Sequence, residues 1–239
     1  LDQLFGVPGI EFDASKFNWI GRFNDLPLLL ISWHTTNIVS TEDVLTKPFT
    51  IGMTGVGSSA YFSLGTVKRL LGAQYKFILG YGNGPATKLA MERGEVDATA
   101  SAMWSTLAAQ NPDWLEQKKI NMLLQFAIRK DPHIPNVPMV ADLARNEDQR
   151  EIIELLMTPA EIGRNFLGPP AMPPARVAEL RKAFDLMMKD AEFLADAANQ
   201  KAELNPMSGE ELQALLVQVR QMPPALISRA RELAQVTKE

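Results

Sequence analysis

The chain has 239 residues, 46% of them hydrophobic and 22% charged, enough for one large folded domain or two small ones with a real core. A formal charge of −4 and a pI near 5.4, with lysines and arginines scattered among acids, leave no basic footprint for nucleic acid. There is no cysteine, so disulfides and thiolate metal sites are excluded, and thiol chemistry fixes no compartment.

The sequence opens at "LDQLFGVPGIEFD" without a basic segment followed by an apolar one, so a targeting peptide is expected to have been removed or to lie outside it. Residues 17–33, "FNWIGRFNDLPLLLISW", end in an apolar run over 26–33 that predicts a buried strand. That run is far shorter than the roughly 20 residues needed to span a bilayer. A second strand is predicted over 49–54. It feeds through a turn holding Gly55, Val56, Gly57, Ser58 and Ser59 into a helix over about 59–71, with Ala60, Leu64, Val67 and Leu71 on one face and Gly72 as the stop.

The pattern then repeats. A strand over 75–80, a turn from Tyr81 through Asn83 to Gly84, a helix opened by Pro85 and ended near Gly94, and a third strand over 96–100 follow in order. Another strand is predicted over 120–128. Strands alternating with helices predict βαβ units and a mainly parallel sheet. Beyond the proline-rich "KDPHIPNVPMV" the chain turns helical. Asn146 caps a helix to about 157, Pro174 opens one to about 189, Ser208 with Glu211 forms a capping box, and a last helix follows Pro223 and Pro224.

A strand entering a helix through glycines and serines leaves backbone N–H groups unpaired and facing one way, which attracts anions. Gly55-x-Gly57-x-x-Ala60 fits a loose dinucleotide fingerprint, but "LGYGNG" stands where the ribose-holding acid is required. A triphosphate loop fails because no Gly-Lys-Ser/Thr follows. A carboxylate remains, held between two neighbouring turns at the strands' carboxyl ends; the alternative is two ordinary connections whose glycines only supply positive φ. His34 and His133 are the two histidines. Neither sits in a nucleophile or metal-ligand spacing, so no catalytic residue, metal or cofactor is expected. His34 is read as a hydrogen-bonded residue at a domain crossover or a ligand contact, His133 as a surface loop residue, and Met187 and Met188 as core filler.

Taken together, "FNWIGRF", "TGVGSSAYFSL", "GYGNGPATKLAMERGEVDA", "DPHIPNVPMVADLA", "GPPAMPPARVAELRKAFDLMMKDAEFLADA" and "NPMSGEELQAL" resemble, in order and spacing, the substrate-binding receptors of tripartite tricarboxylate transporters, the Bug-type or TctC-like receptors. The resemblance covers nearly the whole chain from Phe17. It implies an α/β two-lobe periplasmic-binding-protein fold with mainly parallel sheets flanked by helices, lying outside the cytoplasm. Such a protein is not an enzyme. It closes on a small organic carboxylate and delivers it to membrane permease subunits. The turn at 55–59 matches one ligand-gripping loop of the family and the turn at 81–84 a second.

Two departures accompany the likeness. Family members carry a further segment before the point where this sequence begins, so lobe one is expected to be incomplete: 1–33 and 161–239 form its remnant with the C-terminal helices, and 34–160 form lobe two. An incomplete lobe exposes a sheet edge, which favours self-association. Many members also have an Asp-Asn pair near the ligand where this chain has Ser101 and Ala102, followed by Met103 and Trp104, which suits an apolar or aromatic acid. The expected ligand contacts are Gly55, Val56, Gly57, Ser58, Ser59, Tyr81, Asn83, Gly84 and Ser101, with Trp33 and Trp104 walling the pocket. The alternatives are an α/β enzyme acting on an anionic small molecule, or a receptor remnant serving only as an interaction or sensory module.

Overall fold

The structure, a computed structural model, describes residues 1–56, 58–200 and 202–234, without the side chain of Ser59. In chain order the elements are β1 (Asn18–Asn24), β2 (Leu28–Trp33), α1 (Thr41–Thr46), β3 (Thr50–Gly52), α2 (Ser59–Leu71), β4 (Lys76–Ile78), α3 (Gly84–Glu92), β5 (Ala98–Ala102) and α4 (Trp104–Gln110). There follow α5 (Pro112–Glu116), β6 (Ile120–Phe126), α6 (Glu147–Ile162), β7 (Arg164–Gly168), α7 (Pro174–Met187), α8 (Ala191–Asn199), β8 (Met207–Ser208), α9 (Gly209–Arg220) and α10 (Pro224–Ala234). Contacts divide the chain into two units, Leu1–Leu26 with Pro159–Ser228 and Pro27–Thr158 with Arg229–Glu239.

The strand predicted over 26–33 is β2, and the residues before it form a separate strand, β1, of another sheet, because Asp25, Leu26 and Pro27 stand between them and proline cannot donate to a ladder. The unit boundary therefore falls at 26/27 rather than at 33/34, and β2 joins the second unit. Its sheet runs β4-β3-β5-β2-β6. β3 pairs parallel with β4 and β5, whereas β2 pairs antiparallel with β5 and β6. The sheet is thus mixed rather than mainly parallel. Parallel neighbours need a helical crossover, and those crossovers are α2 and α3, between β3 and β5. Leu29, Ile31 and Trp33 of β2 pack with Met91, Leu107, Trp114 and Ile120, and the Trp33 and Trp114 rings meet edge-on at 5.0 Å.

The first unit holds an antiparallel sheet ordered β7-β1-β8. Trp19 packs with Met207 and Leu212, and Ile20 with Val177 and Phe184, while Met187 and Met188 fill the margin of that second cluster as expected. A Cβ at Gly21 would stand 2.3 Å from the Phe184 ring, so only glycine lets α7 lie this close to β1. Arg22 is fully buried. Its guanidinium donates to the carbonyls of Asn205 and Glu161 and pairs with the Glu161 carboxylate at 3.2 Å. Strand β7 lies at the sheet's edge, and its Phe166 and Leu167 are 50% and 46% exposed. Among the described residues no helix is long and apolar enough to cross a membrane.

Candidate functional site

Parallel pairing sets the carboxyl ends of β3, β4 and β5 side by side, with Gly52 opposite both Ile78 and Thr99. The two loops that leave β3 and β4 are stitched together by backbone bonds, Met53 N–H to the Ile78 carbonyl at 2.9 Å and Tyr81 N–H to the Met53 carbonyl at 3.3 Å. The two predicted turns therefore do lie at adjacent strand ends, the place where α/β sheets hold ligands.

At the first turn, Ser58 is the N-cap of α2. Its hydroxyl accepts from Tyr61 N–H at 3.2 Å and donates to the Gly55 carbonyl at 2.9 Å, so its proton is committed within the turn. Val56 is exposed and Gly55 half-buried, and Gly57 lies outside the described residues, as does the Ser59 side chain. At the second turn Asn83 caps α3, its Oδ1 accepting from Ala86 N–H at 2.9 Å. Pro85 has no N–H and Thr87 N–H bonds the Asn83 carbonyl, so Gly84 supplies the remaining first-turn donor of α3. Positive φ explains Gly72, Gly80 and Gly94 but not Gly55, Gly82 or Gly84. At Gly84 proximity matters instead: a Cβ there would come within 3.3 Å of the Ser101 Cβ, a tight contact.

That approach joins Ser101, at the end of β5, to the second turn through hydroxyls. Thr87 Oγ1 lies 2.8 Å from the Gly84 carbonyl, 2.9 Å from Thr99 Oγ1 and 3.1 Å from Ser101 Oγ, and Thr87 and Thr99 are fully buried. Thr87 and Thr99 escape a sequence reading, because a threonine on a helix and another on a strand share no spacing rule. Their one sequence signal is polar residues at otherwise apolar positions beside the second turn.

The aromatic residues divide. Trp33 is 8% exposed and belongs to the core, so it is a foundation rather than an open wall. Trp104 is half-buried and stacks on the exposed His133 with ring centres 6.2 Å apart, and His133 Nδ1 lies 2.9 Å from Asp131 Oδ1. Burial, with the Glu95 charge nearby, raises the Tyr81 hydroxyl above its usual pKa. His34 is exposed against Trp33 after β2, away from the crossing at 26/27. Burial lowers the pKa of the Lys88 ammonium, which donates to Asn111 Oδ1 at 3.0 Å and reaches Gln110 Oε1 at 3.5 Å, next to Thr87 on α3.

No family model and no curated protein matches this chain. Among solved structures, a TctC solute-binding protein from Polaromonas, without ligand, is similar at TM-score 0.67 and 16% identity over 95% of this chain and 74% of that one. An R. palustris protein with adipate is similar at TM-score 0.57 and 18% identity over 95% of this chain and 71% of that one. MatC from Rhodopseudomonas palustris with bound malate is similar at TM-score 0.55 and 17% identity over 97% of this chain and 74% of that one. The likeness establishes the α/β fold of periplasmic solute-binding proteins.

Proposed function

We propose that this chain is an extracytoplasmic solute-binding receptor for a small organic carboxylate, and that it delivers that solute to the permease subunits of a tripartite tricarboxylate-type transporter. The observation that carries the reading is the meeting of the two turns with Ser101 at the carboxyl ends of β3, β4 and β5. Support comes from proteins of the same fold solved with adipate and with malate. In this reading Gly55, Val56, Ser58 and the Ser59 backbone shape one side of the site, Tyr81, Asn83, Gly84 and Ser101 the other, and Trp104 offers a ring to an apolar tail. Peptide dipoles and neutral hydroxyls suit reversible binding, because a buried salt bridge carries a large desolvation cost that must be repaid at each release. No chemical step and no cofactor is needed.

The test is isothermal titration of the full chain with adipate, malate, benzoate and, as a zwitterionic control, leucine. Saturable binding of at least one acid, with none of leucine, supports the reading. Binding of none of the acids refutes it. We further propose that copies associate through the open, apolar edge of β7. Light scattering would then show an oligomer that Phe166→Asp dissociates, and a monomer at all concentrations would refute this.

A further inference from the structure

Counting protons around Thr87 assigns a direction to the hydroxyl chain. Ser101 N–H donates to Thr99 Oγ1 at 3.3 Å, and the Thr99 hydroxyl donates to Thr87 Oγ1 at 2.9 Å. Thr87 has one proton and two acceptors in reach, the Gly84 carbonyl at 2.8 Å and Ser101 Oγ at 3.1 Å. That proton is shared between the two acceptors, so Ser101 Oγ accepts from Thr87. The Ser101 proton is then free to point outward. A carboxylate oxygen outcompetes a neutral hydroxyl for that proton, since charge-assisted hydrogen bonds are about twice as strong as neutral ones. Ser101 is half-buried, whereas Thr87 is sealed from solvent.

We propose that Ser101 is a ligand-contacting hydroxyl donor and that Thr87 is its positioning residue, tying the end of β5 to the first turn of α3 while leaving the Ser101 proton available to a guest oxygen. The inference rests on the carboxylate-binding reading above. Thr87 touches no ligand. It acts by holding Ser101 and the Gly84 carbonyl on one oxygen, which explains a fully buried threonine facing two other hydroxyls where an apolar residue would pack without them.

The experiment is an acetate titration of the full chain followed by amide chemical shifts, with Ser101→Ala, Thr87→Val, Thr87→Ser and the Ser101→Ala/Thr87→Val double variant, and thermal midpoints recorded in parallel. The expected result is saturable shifts at Gly84 and Ser101. Affinity should weaken about two- to tenfold in Ser101→Ala and in Thr87→Val, the range for one lost hydrogen bond, with no further loss in the double variant and recovery in Thr87→Ser. A purely structural threonine would lower the midpoint without this recovery of affinity. Saturable shifts elsewhere, or unchanged affinity in Ser101→Ala, overturn the inference and leave the carboxylate reading standing. Absence of saturable shifts with acetate, malate and adipate overturns both. Should Thr87→Val fail to fold, Ser101→Ala and Thr87→Ser decide, because full affinity in the first or lost affinity in the second contradicts the proposal.

Discussion

Replacing Ser58 separates a cap from a ligand contact. Its oxygen accepts from Tyr61 N–H at 3.2 Å and its proton serves the Gly55 carbonyl at 2.9 Å, so both capacities are used inside the turn. Ser58→Ala therefore removes an N-cap, at a cost of about 1 kcal/mol, which in a chain of this size lowers the thermal midpoint by roughly 2–4 °C. Affinity for a bound carboxylate should barely change. Ser58→Asp keeps an acceptor for Tyr61 and adds a negative charge at the positive end of α2, which offsets the lost donation to Gly55 by about 0.3–1 kcal/mol. Stability should therefore return toward that of the parent chain. The same charge some 6 Å from a carboxylate would repel it by about 3 kcal/mol at a near-surface effective dielectric of about 20, roughly a hundredfold loss of affinity. Thermal unfolding and calorimetric titration of both variants give the test. An unchanged midpoint in Ser58→Ala together with a tenfold loss of affinity would refute the reasoning and make the hydroxyl a direct ligand donor.

Further predictions concern the frame and the pH response. Arg22→Met leaves the buried Glu161 carboxylate without its guanidinium and should cost about 3–5 kcal/mol in chemical unfolding, with part recovered in Arg22→Met/Glu161→Leu. Gly163 has φ 55°, and a Cβ there would stand 2.2 Å from the Asn24 carbonyl oxygen, so Gly163→Ala should destabilise by about 3 kcal/mol or more and reduce soluble yield; parental yield and stability would contradict this. Asp13 is held at a pKa of about 2, below its usual 3.8, by the Ser15 hydroxyl, Gln3 and Ser15 N–H. Because the folded value is the lower one, its contribution is present above about pH 4 and fades as pH falls toward 2. Asp13→Asn should flatten the acid limb of the stability profile across that window and leave a neutral-pH offset.

Much of the local structure was legible because it obeys short-range rules. α2 lies at Ser59–Leu71 as predicted, Gly72 closes it at φ 78°, and Ser208 with Glu211 forms the predicted capping box. Asn146 caps α6 as predicted, its Oδ1 accepting from Gln149 N–H, but α6 runs on through Pro159 to Ile162 instead of ending near 157. Long-range pairing was less legible. β7 is five residues bounded by glycine and lacks an alternating pattern, so nothing in "RNFLG" announces a strand until β1 is beside it. α1 was missed although Ser40 and Asp43 form a capping box, because six residues show too little periodicity. At the site the two turns were legible from their glycines and capping residues. The Thr87, Thr99 and Ser101 chain was not, since it exists only once α3 lies on β5.

The placement of β2 has a consequence for biosynthesis. "LLLISW" leaves the ribosome before the strands on both its sides, β5 and β6, which are translated roughly 70 to 90 residues later. At about 5–20 residues per second that apolar hexapeptide waits on the order of ten seconds without neighbours. A nascent chain arrested before Ala98 should accordingly be a good client for a hydrophobic-peptide chaperone, and one released after Phe126 a poor one.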